Sequence, residues 1–152
     1  MQTFLPYPDY YKSALVLDMK RLQKQIAEGT QIMKAMHGFY RKPDKPDRPG
    51  AWENHPATVM WRNCPEGLFQ YLKIVHRMWM ARSLHRTTPH KSYVELYELF
   101  RHLDRPWRVC PWWICDPEVF RSHRANLTRK DPEYYSQFWD EDPTLPYKWP
   151  SS

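Results

Sequence analysis

The sequence predicts an all-α protein that folds as one domain. A chain of 152 residues is the size of a single domain. Several segments carry apolar residues at spacings of three, four and seven, the pattern of amphipathic helices. Eight Trp, ten Tyr and six Phe, with few Val and Ile, predict a core of aromatic, Leu and Met side chains. We therefore expect residues 1–152 to form one compact helical domain, with an extended N-terminus and irregular segments rich in Pro and Trp.

The longest helical pattern runs from Ser13 to Met36 and has two chemically different faces. Its apolar stripe consists of Leu15, Leu22, Ile26, Gly29, Met33 and Met36. A polar face about 110° around the helix carries Arg21, Lys24, Gln25 and Glu28. This face is either a solvated surface, where a Lys24–Glu28 pair contributes about 0.2–0.5 kcal/mol, or a catalytic carboxylate within an anion-binding surface.

Proline and capping residues predict where the other helices begin and end. Pro6 and Pro8 keep the first eleven residues out of a helix, and the long helix should end near Gly38. The segment 41–50 is a surface loop. Later helix starts are predicted at Pro56 after Asn54-His55, at Pro65, at Ser92, at Asp116-Pro117-Glu118 and at Asp131-Pro132-Glu133.

Composition indicates which classes of protein are compatible with the sequence. Charged residues make up 26% of the chain, and no apolar run approaches the roughly 20 residues of a membrane span. Three cysteines without a secretory signal predict reduced thiols in a cytoplasmic protein. Neither the cysteines nor the seven histidines have zinc-ligand spacing. A net charge of +6 is compatible with a polyanionic partner but does not establish one.

Three candidate sites remain after nucleotide-binding, hydrolase and zinc motifs are found missing from the sequence. The first is the face around Glu28. The second is Asn54-His55, where His55 is either a helix cap or a catalyst. The third is the segment Val119–Lys130, whose cations could hold phosphates or form a solvated surface; these are Arg121, His123, Arg124, Arg129 and Lys130. Tyr134 follows as a possible stacking surface.

Three segments resemble the pyrimidine-dimer DNA glycosylase family, the phage-type endonuclease V group. They are MQTFLPYPDYYKSALVLDMKRLQKQIAEG, NHPATVMW, and RSHRANLTRKDPEYY with LPYKWP. They span nearly the whole chain, and the resemblance is closest to the bacterial and phage branch that begins MQTFLP. It implies a helical, monomeric enzyme that binds double-stranded DNA and needs no metal or other cofactor.

The resemblance also implies a chemistry. In the family the N-terminal α-amine attacks C1′ of the damaged nucleotide, expels the base and forms an imine, and β-elimination can then cut the strand. An α-amine has an ordinary pKa of about 7.7–8.0, so much of it is neutral and nucleophilic near neutral pH. A Glu on the first long helix assists. Gln2 is too bulky for removal of the initiator methionine, so either the amine is that of Met1 or the covalent step is absent.

The candidate residues follow from the resemblance together with the residue patterns. The expected catalytic residues are Met1, Glu28 and His55, with Glu28 within about 6 Å of the Met1 nitrogen. The expected DNA-binding residues are Arg21, Lys24, Gln25, Asn54, Arg121, His123, Arg124, Arg129, Lys130 and Tyr134. The basic ones should share one surface. The excised base stays open among pyrimidine dimers, oxidised pyrimidines and phage-modified bases. Two alternatives are a non-catalytic DNA-binding module and a protein-interaction domain.

Overall fold

A computed structural model describes residues 1–151, and it confirms the all-helical prediction. Within that range there are α-helices and two short 3₁₀ turns, and no β-strand. The α-helices are α1 Tyr10–Val16, α2 Met19–Met36, α3 Pro56–Val59, α4 Pro65–Arg82, α5 Lys91–Phe100, α6 Pro117–Lys130 and α7 Pro132–Tyr135. The 3₁₀ turns are Arg101–Leu103 and Trp112–Cys115.

Helices α2 and α4 form the central pair, and α1 and α5 pack against them. Gly29 on α2 allows a close approach, because a Cβ there would lie 2.3 Å from Cδ2 of Leu72 on α4. The core is aromatic, as predicted. Its largest fully buried side chains are Trp61, Trp113, Tyr71, Tyr135, Phe69 and Phe100.

The prediction of one helix from Ser13 to Met36 was wrong, because the chain breaks at Asp18. Asp18 is extended, and its carboxylate accepts the Arg21 N–H at 3.0 Å as the N-cap of α2. The same carboxylate accepts the Tyr135 hydroxyl at 2.7 Å, which fixes the break in place. Leu15 therefore lies on α1 and is 47% exposed, whereas Leu22 of α2 is fully buried.

Most predicted helix boundaries are confirmed. Gly38 follows α2 with a φ of +74°, and His55 caps α3 by accepting the Ala57 N–H on Nδ1. The start of α5 was predicted at Ser92, but the cap is His90, whose Nδ1 accepts the Ser92 N–H. The α5 N-cap is therefore the imidazole of His90 and not the hydroxyl of Ser92.

The described cysteines are all free, with one buried and two exposed. Across residues 1–151, no cluster of three or more His, Cys, Asp or Glu side chains is arranged to hold a metal ion. Within the same range, no helix has the length and apolar character needed to cross a membrane.

The N-terminal segment, residues 1–6, runs extended through the protein, with Thr3, Phe4, Leu5 and Pro6 buried. A buried backbone must find hydrogen-bond partners, and here side chains supply them. The backbone N–H groups donate to side chains: that of Gln2 to Glu28, that of Phe4 to Gln25, and that of Leu5 to His123. The backbone carbonyls accept from side chains: that of Gln2 from Gln25, that of Thr3 from Tyr147, that of Phe4 from Tyr71, and that of Pro6 from Arg124. These contacts hold the backbone that directly follows Met1.

Residues 143–150 form a C-terminal strap over the N-terminal segment. The Tyr147 ring stacks on His123 with centroids 4.4 Å apart, and its hydroxyl donates to the Thr3 carbonyl at 2.6 Å. The Lys148 ammonium pairs with Asp116 at 2.6 Å. The two ends of the chain are thereby packed together beside α6.

The stability of the protein should fall in acid because of His123. Burial lowers the pKa of His123 to about 3, whereas an unfolded histidine titrates near pH 6.5. Below about pH 6.5 the unfolded chain binds a proton that the folded protein excludes, so stability is lost as the pH falls toward 3. Thermal unfolding between pH 7 and pH 4 should show a smaller drop in Tm for H123Q than for the wild type. The exposed His85 supplies the control, H85Q, which should behave as the wild type does.

Candidate active site

Glu28 lies on α2 beside the start of the chain. Its Oε2 accepts the Gln2 N–H at 3.0 Å, and its Oε1 lies 3.6 Å from the Lys24 ammonium. The carboxylate is 22% exposed. Bond lengths keep the Met1 nitrogen within about 3.7 Å of the Gln2 nitrogen, which places it at most about 7 Å from the carboxylate. The expected separation of about 6 Å stays a prediction within that limit.

His55 is the third candidate catalytic residue, after Met1 and Glu28. Burial lowers the pKa of His55, the charge of the N-terminal amine lowers it further, and Glu28 raises it. The His55 ring lies 5.9 Å from that of Trp149, which lies 4.3 Å from the ring of Tyr147, and the Tyr147 hydroxyl donates to the Thr3 carbonyl. These contacts relate His55 to the N-terminal segment. Because Nδ1 of His55 accepts the Ala57 N–H at 3.1 Å, the neutral ring carries its proton on Nε2. His55 can thus donate a hydrogen bond from Nε2 while remaining neutral.

A cavity of about 170 Å³ opens beside Glu28 and is strongly cationic. It is lined by Gln2, Phe4, Lys20, Arg21, Lys24, Glu28 and Lys130. Burial lowers the pKa of Lys130, and the charges of Arg21 and Lys24 lower it further. Such mutual repulsion would be relieved by a bound anion. Lys20 was not predicted as a site residue, although its spacing of four from Lys24 places both on one helix face.

The predicted common basic surface forms only in part. Lys130 joins Arg21 and Lys24 at the cavity. Arg121 and Arg124 instead bind Glu141, with separations of 3.2 and 3.0 Å. Arg121 and Arg124 are therefore partly engaged within the protein, and their role in binding phosphate stays a prediction.

Arg129 also has an intramolecular role. Its guanidinium donates to the Pro143 carbonyl, and to the Leu145 carbonyl at 2.7 Å. It thus anchors the C-terminal strap to the end of α6, although its side chain remains on the surface.

Two of the expected DNA-binding residues lie in the interior. Gln25 and His123 are both fully buried. Gln25 accepts the Phe4 N–H at 2.7 Å and donates to the Gln2 carbonyl at 3.0 Å. His123 accepts the Leu5 N–H at 2.9 Å. The structure therefore corrects their predicted placement at a DNA surface, and both hold the N-terminal segment instead.

Asn54 and Tyr134 retain access to solvent. Asn54 is exposed, and its Oδ1 accepts a hydrogen bond from Arg62 at 3.3 Å. Tyr134 is half-buried, with its ring edge-on to Tyr135 at a centroid distance of 4.9 Å. Their DNA-binding roles stay predictions.

A second cavity, of about 350 Å³, lies against α4 and includes none of the candidate catalytic residues. Two of its cations are already paired, Lys73 with Asp104 at 2.6 Å and Arg105 with Glu66 at 3.5 Å. Although this cavity is larger, the smaller one contains Glu28 together with four cations. The smaller cavity is therefore the better candidate site.

A family model described as pyrimidine dimer DNA glycosylase matches residues 1–92. This range includes Met1, Glu28 and His55, whereas α6 and the C-terminal strap lie outside it. No curated protein and no solved structure matches the chain.

Proposed function

Because the chain belongs to the pyrimidine dimer DNA glycosylase family, matched over residues 1–92, we propose that it excises a damaged or modified pyrimidine from duplex DNA through the Met1 amine. The family supports a DNA glycosylase acting on DNA. The single observation that carries the amine mechanism is the hydrogen bond from the Gln2 N–H to Glu28, 3.0 Å long, beside a cationic cavity. This hydrogen bond supports a position of the Met1 α-amine close to the Glu28 carboxylate.

In the proposed reaction the lone pair of the Met1 nitrogen attacks C1′ of the target nucleotide. The bond from C1′ to the base breaks, and the base leaves with the electron pair and acquires a proton. The amine then loses its protons as the sugar ring opens, O4′ is protonated, and an imine forms. Glu28 stabilises the cationic character at C1′ and carries protons between these atoms. Subsequent loss of a C2′ proton would expel the 3′ phosphate and cut the strand.

His55 contributes to the proposed site as a neutral hydrogen-bond donor. Its Nδ1 lone pair is occupied by the Ala57 N–H, so abstraction of a proton there would require loss of the α3 cap. A neutral imidazole also avoids placing another cation beside the amine, which would oppose formation of the cationic sugar. Glu28 is therefore the better candidate for proton transfer.

The cationic cavity is the proposed binding site for phosphates of the DNA backbone. Lys20, Lys24 and Lys130 line it together with Arg21, which is held by Asp18 at 3.3 Å. Ammonium groups bind phosphate as mobile point charges, while the fixed guanidinium gives direction. Phosphate contacts of this kind position a duplex without reading its sequence.

The proposal is tested by trapping with borohydride on duplexes that carry single lesions. A panel of pyrimidine dimers, oxidised pyrimidines and phage-modified bases should give a covalent protein–DNA band with at least one member, because borohydride reduces an imine to a stable amine. The productive duplex would identify the substrate. Base release without any trapped band would contradict the amine mechanism. DNA binding without base release on any lesion would favour a non-catalytic binding module.

Neutralising the cavity should lower the salt dependence of DNA binding. Removing one cation that binds a phosphate should make the slope of log affinity against log salt shallower by about 1, so K24Q and K130Q should each show this change. The affinity for all duplexes should fall together, because phosphates carry no sequence information. The control is R77Q, which removes a cation from the second cavity. Equal slopes for K24Q, K130Q and the wild type would rule out phosphate binding by these lysines.

A further inference from the structure

Trp52 is an exposed aromatic residue beside the proposed active site. Its side chain is 52% exposed, and its ring centroid lies 5.6 Å from that of His55. The His55 ring also lies 5.9 Å from the ring of Trp149, in the C-terminal strap that packs over the N-terminal segment. A large apolar ring thus remains half exposed to solvent beside a candidate catalytic residue.

The backbone of Trp52 is strained. Its φ is +66°, the only positive value among the described non-glycine residues. This left-handed conformation is unfavourable for a bulky side chain, and such strain persists only where neighbouring contacts enforce it. The Trp52 carbonyl accepts the His55 N–H at 3.1 Å, which closes a turn directly before the α3 cap. The conformation directs an aromatic residue to a defined place next to His55.

The loop around Trp52 is anchored on both sides. Glu53 accepts the Gly50 N–H at 2.9 Å and the Arg41 Nε–H at 3.0 Å, and its carbonyl accepts from Arg62 at 2.7 Å. Gly50 has no room for a side chain, since a Cβ would lie 2.4 Å from the Tyr40 carbonyl carbon. These contacts hold the loop in one arrangement, so little further ordering is needed when Trp52 meets a ligand.

We propose that Trp52 is a base-stacking residue that contacts a nucleobase exposed at the lesion when DNA binds. This inference rests on the proposed function. A glycosylase that acts on a duplex disrupts base stacking at the lesion, which exposes the faces of neighbouring bases. A rigid aromatic ring can cover such a face, and stacking of this type is independent of base identity. The cations that line the cavity at Glu28 favour a nucleic acid over an apolar peptide as the occupant.

Two substitutions distinguish loss of the Trp52 ring from an effect on folding. W52F retains an aromatic face, whereas W52N removes the ring and introduces a residue that tolerates a positive φ. The probe is a duplex with a tetrahydrofuran abasic analogue flanked by 2-aminopurine, whose fluorescence reports stacking of the neighbouring base. Binding and fluorescence are measured without any base release. W107N is the matched control, because Trp107 is 63% exposed and lines the second cavity.

W52N is expected to bind the abasic duplex about 5- to 150-fold more weakly than the wild type, the range for loss of one stacked base. It should also lose the fluorescence change of the wild type. W52F should bind the abasic duplex within about threefold of the wild-type affinity and should retain the fluorescence change. A difference of about threefold is less than the loss expected from one stacking interaction. Affinity for undamaged duplex should be the same for all variants, since phosphate contacts are unaltered. W107N should match the wild type.

Equal affinity and fluorescence of W52N and the wild type would overturn the inference, as would equal losses for W52F and W52N. If W52N fails to fold by thermal unfolding, W52G replaces it, because glycine adopts this φ without strain. Wild-type protein that shows the Trp52-dependent signals but releases no base would support the stacking role and contradict the proposed catalysis. Wild-type protein that binds no DNA would overturn both.

Discussion

Glu28→Gln is expected to lower the rate of base release by about 10²–10⁴-fold, the usual contribution of general acid–base assistance. The amide retains an oxygen that can accept the Gln2 N–H, so the N-terminal segment should keep its position. DNA affinity should be unchanged or slightly higher, because the substitution removes the one carboxylate from the lining of a cavity with four cations. The loss should therefore appear in the chemical step and not in binding.

Single-turnover base release and equilibrium binding, measured on the same duplex, separate these effects. Glu95→Gln is a suitable control. It removes another carboxylate that pairs with a lysine, Lys34, at 2.6 Å, but on the exposed side of α5. Its rate should equal that of the wild type. Base release by E28Q at the wild-type rate would remove Glu28 from the mechanism.

Acetylation of the N-terminal amine is expected to abolish imine formation entirely, because an amide nitrogen is not nucleophilic. The trapped band with borohydride should disappear, while binding through the cationic cavity should persist. A protein with one extra residue before Met1 provides a second version of the experiment. It retains a free amine but displaces it by about 3.8 Å per residue, so trapping should again be lost.

In the proposed mechanism the amine and Glu28 act on one step, so acetylated E28Q should be little slower in base release than the acetylated protein alone. Normal base release by the acetylated protein would contradict the amine mechanism. It would favour attack by a water molecule that Glu28 activates.

Local sequence signals predicted much of the helical architecture. Asp116-Pro117-Glu118 and Pro65 begin helices where expected, because capping and the fixed φ of proline act within a few residues. The aromatic core followed from composition. The break at Asp18 was missed, since its hydroxyl partner, Tyr135, is 117 residues away in sequence. Periodicity alone could not distinguish one helix from two that follow each other closely.

The candidate site shows the same limit. The face of α2 with Lys24 and Glu28 was recognised from spacing, and Gln25 was assigned to it. Helical geometry gave no sign that the N-terminal segment covers Gln25 and leaves Glu28 partly open. Likewise, α6 has a basic sequence, but Glu141 lies 20 residues beyond Arg121 and pairs with it. Residue patterns locate charges, whereas long-range pairing decides which of them stay available to a ligand.

The hydrogen bonds that hold the N-terminal segment have a consequence during protein synthesis. Met1, Glu28 and His55 all leave the ribosome within the first half of the chain. The partners of Leu5 and Thr3, His123 and Tyr147, follow 118 and 144 residues later. A nascent chain that ends before α6 therefore possesses every proposed catalytic group, but it lacks His123, Arg124 and Tyr147, which hold the backbone of residues 3–6. The full set of contacts to the N-terminal segment is complete only once Tyr147 has been translated.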